Sequence, residues 1–430
     1  MHPGVVGPIL LGCVVVLAMS AGDAAALTAQ DEVTVDELVT RALADNPDVR
    51  AVRLEVDAAE GRLRQAGLRP NPMLDLGGQK ALSPDNNLTV GVTVPLDLNG
   101  RKEGRVGVAE REVEIKRALV RERERRLRAE VRLKGGELLA AQRNLGVTDD
   151  LLRVNREAFA LIGERARRGA VPPLEASLLE VEVNRLDASQ RLLAGRVEVI
   201  TVQLKSLAGM PPDAALTLRG ELVSSPLALD RAEAVREALA GRADLDAARG
   251  EAAMATAQVR KERAEGRWDA SINVGYQRQD FGFPLNGLTS SGATRPIQDV
   301  FHYFGGGVSI TLPVRNQNQG NIAAAVATAK AAERRVDAAT LTVRQEVAAA
   351  FAQYAAAERS LAVYERGVRD TAQRNLDVVR QTYQLGRTTL LDVIAEQRRF
   401  IDVEMGYTES LKQVYDAVVD LDRAIGKAER

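Results

Sequence analysis

Two carboxylates at matching positions of the chain are its best candidates for binding chemistry. Each follows a glycine and a leucine at the same spacing: Gly169, Leu174 and Glu175 in the first half, and Gly386, Leu391 and Asp392 in the second. Both acids fall in the first turn of a predicted helix, where the helix dipole stabilises negative charge by about half a kcal/mol. That local effect is one explanation. The other is that copies of Asp392 from several chains meet at a narrow opening, where a ring of carboxylates favours cations.

The sequence lacks the motifs of a hydrolase, a nucleotide-binding enzyme and a metalloprotease. G-x-S-x-G, the P-loop and H-E-x-x-H are absent, the histidines are His2 and His302, and the one cysteine is Cys13. We therefore predict no enzyme activity, no catalytic residue, no metal site and no cofactor, and a hydrolase is the least favoured alternative. We interpret His302, alone in a predicted loop, as solvated, and Trp268 as an anchor at a membrane interface.

Acidic and basic residues nearly balance, with 58 Lys and Arg against 59 Asp and Glu. They alternate even in the most basic segment, where Arg121, Arg123 and Arg125 stand beside Glu122 and Glu124. This pattern indicates a solvated helix face with ion pairs. It gives no electrostatic reason to expect a nucleic-acid partner.

The N-terminus has the features of a secretory signal. An apolar run from Val5 to Met19 precedes small residues that end at Ala26, and the run is too short to span a membrane as a helix. We predict that residues 1–26 are a signal peptide. The alternative is a lipoprotein acylated at Cys13, which a lipobox-like sequence precedes.

The remaining chain, 27–430, is predicted to be a single domain made of two repeats, at about 35–220 and 230–430. Ala42 to Glu55 resembles Ala238 to Glu251, and the glycine turns match further along the chain. The spacing between matching residues is wider downstream than upstream. The second repeat therefore contains an insertion of roughly twenty residues.

Each repeat has two short segments in which apolar and polar residues alternate, a pattern typical of strands with one apolar face. They predict β-hairpins near 72–96 and 269–313, with loops at about Gln79 to Asn87 and Gln279 to His302. The residues predicted to face lipid are Val90, Val92 and Val94 in the first hairpin, and Ile272, Val274, Val308, Ile310 and Leu312 in the second.

Most other residues predict long helices, because apolar residues recur every seven positions over more than three heptads. A helix from Arg101 to Arg168 would be about 100 Å long. Helices from Pro47 to Leu68 and from Pro173 to Ala208 would stack end to end beside it, and helical hairpins would turn near 169 and 386. The predicted fold class is mainly α with a small β part: antiparallel coiled-coil hairpins and four transmembrane strands per protomer.

Four strands in one chain are too few to close a membrane barrel, for which about eight is the smallest number. Strands in lipid must pair all of their backbone hydrogen-bonding groups. Several chains would therefore share one barrel, and three would supply about twelve strands. The predicted assembly is a trimeric duct. An alternative without a pore is a structural, adhesin-like coiled-coil protein of the periplasm.

The order of several segments resembles the TolC family of outer-membrane factors. ALADNPDVRAVRLE, VPLDLNGRKEGRVGV, LPVRNQNQGN and YQLGRTTLLDV carry the resemblance, which covers nearly the whole mature chain. It implies a homotrimer in the outer membrane of a Gram-negative bacterium, with a helical tunnel in the periplasm. It also implies two partners, a periplasmic membrane-fusion adaptor and an inner-membrane pump of the RND type. NPDVRA and GLRPNP are most similar to the cation-efflux branch typified by CzcC.

The resemblance implies roles for residues at the periplasmic entrance. Asp392 matches the acid of the family's selectivity ring, and Tyr383 matches a tyrosine whose hydrogen bonds hold the entrance closed. The ring's second acid falls at Ala395 here, although Glu396 is adjacent. We assign Glu175 to the same gate.

The predicted function is the passive conduction of metal cations or small organic toxicants from the periplasm to the exterior. The adaptor or the pump would contact the tips of the helical hairpins, at Gly169, Gly386, Leu174 and Leu391. Drug export and type I protein export are alternative uses of the same duct.

Overall fold

The computed structural model describes residues 32–82, 85–222 and 230–426. The predicted signal peptide, 1–26, and Cys13 lie outside these residues. The chain is mainly helical with a small sheet part, as predicted. The elements, in chain order, are β1 (Glu32–Val33), α1 (Val35–Asp45), α2 (Pro47–Ala66), β2 (Met73–Lys80), β3 (Asn86–Pro95), α3 (Arg101–Arg167), α4 (Pro173–Leu207), β4 (Thr217–Leu218), α5 (Arg231–Gly241), α6 (Ala243–Glu265), β5 (Asp269–Leu288), β6 (Thr294–Thr311), α7 (Gln319–Val363), α8 (Arg369–Gln384) and α9 (Leu390–Ile425).

The longest helix, α3, has 67 residues and follows the predicted span closely. Both α2 and α4 pack along it. Asn46 connects the two shorter helices, because its side chain caps the first turn of α2 and its Nδ2 donates to the Leu207 carbonyl, 2.9 Å away, at the end of α4. The predicted end-to-end stacking is therefore confirmed. Among the described residues, no helix is both long enough and apolar enough to cross a membrane.

The core is the predicted heptad seam. Its first cluster is built from fully buried side chains of α1, α3 and α4, among them Leu38, Leu127, Val131, Leu138 and Leu204. Burying a side chain of this size contributes about 1.5–3 kcal/mol. These contacts, rather than helix propensity, fix how the long helices align.

The second half repeats this order of helices and longer strands, but several of its features differ from those of the first half. Arg242 stands where the first half has Asn46, is 2% exposed, and donates to the Ala424 carbonyl at 3.2 Å and to Glu346 at 2.5 Å. The long helix is interrupted between α7 and α8 by a π-helical segment, Tyr364–Val368, in which Gly367 has a φ of 130°. In the first half, α3 runs through without such an interruption.

The four longer strands form one antiparallel sheet in the order β2-β3-β5-β6. The central pairing joins the two halves, since Val92 of β3 lies opposite Val274 of β5. Strands β2 and β6 are the edges.

The predicted loop from Gln279 to His302 is wrong. Strands β5 and β6 stay paired as far as Leu288 and Thr294, and only a short turn closes the hairpin, where the Thr289 amide donates to the Ala293 carbonyl at 2.9 Å. Glycine and proline in this segment disfavour strand structure, but pairing with a neighbouring strand outweighs intrinsic propensity. His302 is consequently a strand residue, and its Nδ1 lies 2.7 Å from the Tyr276 hydroxyl.

Candidate gate at the helical tips

Both helical hairpins turn at a glycine in the left-handed conformation. Gly169 has a φ of 71° and Gly386 a φ of 70°, which residues with a Cβ rarely adopt. After each glycine, one amide donates back into the preceding helix, from Ala170 to the Arg165 carbonyl at 2.9 Å and from Arg387 to the Thr382 carbonyl at 3.0 Å. These bonds end α3 and α8 and allow the chain to reverse.

The two tips pack against each other. Ile162 and Leu179 of the first hairpin and Leu390 and Ile394 of the second form a buried cluster, with Tyr383 partly buried beside it. Leu174 and Leu391 are instead 66% and 57% exposed. The two tips therefore contact each other through buried apolar side chains, whereas Leu174 and Leu391 are exposed to solvent in the single chain.

Tyr383 and Glu175, both predicted gate residues, meet across this contact. The Tyr383 hydroxyl donates to Glu175 Oε2 at 2.8 Å, although the residues are 208 apart in the sequence. Burial, and then the hydrogen bond to Glu175, raise the pKa of Tyr383 to about 12. The phenol remains protonated and able to donate at any physiological pH. Sequence reasoning found both residues but did not predict their bond.

Asp392 lies in the first turn of α9, where it forms a capping box with Thr389. Its Oδ2 accepts from the Thr389 amide at 2.9 Å and from the Thr389 hydroxyl at 2.7 Å. These bonds lower the pKa of Asp392, the hydroxyl having the larger effect. Asp392 therefore stabilises the first turn of its own helix, which is the first of the two explanations given for this acid. Asp392 is also exposed and stays ionised near neutral pH.

A second acid of the expected ring is not available in the following turn. Ala395 is exposed, whereas Glu396 is 8% exposed and is ion-paired with Arg399 at 2.9 Å. Glu396 thus faces the protein, so Asp392 is the acid that α9 presents at its start.

Glu182 is a buried acid that sequence reasoning missed. It is 1% exposed and accepts from Arg185 at 2.6 Å and from Arg398 at 2.8 Å, so it links α4 to α9. Burial opposes its ionisation, but the hydrogen bonds from the two arginines outweigh burial and lower the pKa of Glu182. Its position between Leu179 and Leu186 of the seam was the signal that could have identified it.

A second missed group lies beside the π-helical segment. Glu404 is 3% exposed, with Arg369 at 2.5 Å and Arg143 at 3.6 Å. Both guanidinium groups stand over the Tyr407 ring, 5.2 and 5.3 Å from its centroid. Glu404 lies between Phe400 and Tyr407, two residues of the seven-residue seam. That spacing was the sequence signal that could have identified it as a buried acid paired with arginine.

The residues predicted to face lipid share one face of the sheet. Val92 pairs with Val274, Val94 with Ile272, and Ile272 with Val308. Residues directly opposite in an antiparallel sheet lie on the same face. Seven of the eight are exposed in the single chain, and Val90 is half-buried; the others are Val92, Val94, Ile272, Val274, Val308, Ile310 and Leu312. The opposite face is polar, and on it Thr93 donates to Asp75 at 3.1 Å.

Comparison with known families matches residues 38–210 and 234–427 to the family described as outer membrane efflux protein. The chain belongs to this family. The predicted TolC-like resemblance is confirmed, as are the role in outer-membrane efflux and the location in the outer membrane with an extension into the periplasm.

Two relatives of this outer membrane efflux protein come from Cupriavidus metallidurans. The cobalt-zinc-cadmium resistance protein CzcC is 22% identical over 394 residues, which cover 92% of this chain and 90% of CzcC. The nickel and cobalt resistance protein CnrC is 28% identical over 350 residues, which cover 75% of this chain and 73% of CnrC.

Two solved structures share the fold of this efflux protein. CusC matches with a TM-score of 0.73 at 17% identity, over 93% of this chain and 95% of the other. The outer membrane protein VceC of Vibrio cholerae matches with a TM-score of 0.72 at 19% identity, over 91% and 96%. At these identities the likeness shows the fold alone.

Proposed function

We propose that this efflux protein is the homotrimeric outer-membrane duct of a tripartite system that exports divalent metal cations. We also propose that the Tyr383–Glu175 contact holds its periplasmic entrance closed. The duct conducts passively and without catalysis, and its energy and substrate choice come from its partners. The names of CzcC and CnrC, which refer to cobalt, zinc, cadmium and nickel resistance, support metal cations as the substrate.

The geometry of the sheet supports a trimer. Its edge strands, β2 and β6, have backbone groups that must find partners in lipid, and no described residue covers its apolar face. Pairing β6 of one copy with β2 of the next would remove the edges. Three copies would then form a cylinder of about twelve strands, with apolar residues facing lipid and polar residues facing water.

The observation that carries the gate is the hydrogen bond between Tyr383 and Glu175. It joins the two hairpins at their tips, where an opening movement would have to separate them. A hydrogen bond to a charged group contributes about 1.5–3 kcal/mol. That energy is enough to favour a closed state over an open one by about ten-fold or more.

Asp392 supports cation selectivity at the same end. It is exposed, ionised and fixed by its bonds to Thr389. In a trimer, three copies near the axis would lower the energy of a cation and raise that of an anion. The exposed Leu174 and Leu391, on the outermost turns, are the contacts that we assign to a periplasmic adaptor or an RND pump.

Single-channel recording in planar bilayers tests the gate. We expect Tyr383→Phe to increase the open fraction by about ten-fold, because it removes the hydrogen bond and little volume. We expect Glu175→Gln to increase it less, because the glutamine Oε1 can still accept from the Tyr383 hydroxyl but carries no charge. Tyr354→Phe is the matched control, since the Tyr354 hydroxyl also donates to a glutamate, Glu358 at 3.3 Å, but within α7 and not between the two hairpins. We expect it to leave the open fraction unchanged.

Two results would contradict the proposal at different levels. If the wild type forms channels but both gate variants behave like it, the contact is not the gate. If the purified wild type is a monomer that never conducts, the duct itself is refuted. Deleting the gene should sensitise the cell to zinc, cobalt or cadmium; sensitivity to detergents and drugs alone would refute the metal substrate.

A further inference from the structure

Three aromatic side chains cluster on the polar face of the β5–β6 hairpin. The Phe281 and Phe301 rings meet edge to face, with centroids 6.0 Å apart, and Tyr303 stacks on Phe301 at 6.5 Å. In the single chain, the three are 39%, 36% and 47% exposed. They do not belong to the core, and the gate at the opposite end of the molecule does not use them.

The strand register places these rings on the face that carries Asn273 and Thr93. Tyr303 lies opposite Gln277, and Phe301 lies opposite Gln279. Gln277 and Gln279 are each an even number of residues from Asn273 on β5, so their side chains point to the same face of the sheet. The valines and isoleucines predicted to face lipid alternate with them. In the proposed duct, the aromatic cluster would therefore point into the water-filled interior.

The cluster also lies at the outer rim of the four-stranded sheet. Asn86, the first residue of β3, pairs with Asp280, so the next residue, Phe281, is the first that β3 does not cover. Asp85 fixes this rim by accepting from the Gly282 amide at 2.7 Å. Among the described strands, only β5 and β6 continue beyond it.

A carboxylate accompanies the rings. Asp299 lies directly opposite Phe281, and opposite residues share a face. Its Oδ1 accepts from the Val300 amide at 2.8 Å, and within the described residues it has no ion pair. The nearby Arg278 is on the other face, where it pairs with Asp280 at 3.2 Å.

We propose that Phe281, Phe301 and Tyr303, with Asp299, form a binding site for weakly hydrated organic cations inside the outer mouth of the duct. The proposal rests on the shared duct described above. Aromatic faces attract cations through the ring quadrupole, and quaternary ammonium groups are typical ligands of such clusters. Asp299 adds a negative charge that attracts the cation. Three chains would place three such sites around one opening, which would give the exit a preference for organic cations separate from that of Asp392.

Tetrapropylammonium block of single-channel current tests this site. We expect block from the hairpin side in the wild type, and a blocking constant raised about two- to five-fold in Phe301→Leu and in Tyr303→Leu. Leucine keeps an apolar side chain and removes the π system. Asp299→Asn should weaken the block as well, without changing the size of the side chain.

Phe304→Leu is the matched control, because Phe304 is on the same strand, is 84% exposed, and lies on the opposite face. Three results in a channel that still conducts would overturn the site. They are no block in the wild type, unchanged block in Phe301→Leu and Tyr303→Leu, or a block that Phe304→Leu weakens to the same extent. A wild type that does not conduct at all would instead refute the proposed duct. If the variants conduct with the same conductance as the wild type, the change in block is not caused by a folding defect.

Discussion

At the residue scale, buried acids paired with arginine hold the helices of the two halves together. Glu182 receives hydrogen bonds from Arg185 and Arg398, and Glu404 receives one from Arg369. A buried carboxylate is stable only when such partners offset the loss of water. These acids therefore hold α4, α8 and α9 together through ion pairs.

Glu182 should make stability depend on pH. Its pKa is lowered in the folded protein from an ordinary value of 4.5, so its contribution is complete above that value and is lost as the pH falls through the folded pKa. We expect Glu182→Gln to cost about 1–3 kcal/mol at pH 7 and to lose less stability than the wild type below pH 4.5. Urea unfolding in detergent at both pH values measures this.

Glu180→Gln on the same helix is the control, because Glu180 is exposed. We expect it to match the wild type at both pH values. A Glu182→Gln protein as stable as the wild type at pH 7 would show that the two arginines are satisfied equally well by water.

At the element scale, the sequence predicts what repeats along the chain and misses what depends on neighbours. The seven-residue period and the turn residues were enough to place α3 within one residue of Arg168. The segment Gln279–His302 was assigned to a loop because it is rich in glycine, serine, threonine and proline, whereas pairing between β5 and β6 maintains the strands. The Tyr383–Glu175 bond joins residues 208 apart, and no local pattern reports such a distance.

Close packing of α3 against α6 leads to a prediction about glycine. A Cβ at Gly104 would lie 2.9 Å from the Lys261 Cα, a backbone atom that cannot move aside alone, whereas a Cβ at Gly107 would meet nothing within 4 Å. We expect Gly104→Ala to destabilise the protein by about 1–3 kcal/mol, because the helices must separate. Gly107→Ala should stabilise it by up to about 1 kcal/mol through helix propensity.

Thermal unfolding followed by circular dichroism compares the two variants directly, since both change glycine to alanine in the same helix. If Gly104→Ala is as stable as Gly107→Ala, α3 and α6 do not approach as closely as the structure indicates.

At the scale of the whole molecule, one sheet joins two halves that are otherwise similar. Because β3 pairs with β5, the two hairpins present one apolar face and one polar face together. That apolar face is exposed in the single chain. In the proposed duct, lipid would cover it.

Charge on either face of the sheet should have opposite consequences for insertion. We expect Val274→Lys to reduce outer-membrane trimers strongly, because a lysine facing lipid costs about 2–4 kcal/mol near the membrane midplane. Asn273→Lys, one residue away on the polar face, should insert normally and lower the conductance for cations. Heat-modifiable trimers on gels of membrane fractions provide the measurement.

Equal insertion of both variants would mean that this face does not meet lipid. Failure of Asn273→Lys alone would mean that the assignment of the two faces is reversed.

The π-helical segment gives the two halves different mechanics. In α3 an unbroken ladder of main-chain bonds makes a single stiff rod, whereas α7 and α8 are two rods that meet at Tyr364–Val368. Bending stiffness is lowest where the ladder is interrupted. A pull on the tip at Gly386 would therefore rotate α8 about this joint, while the same pull at Gly169 would be transmitted along the whole length of α3.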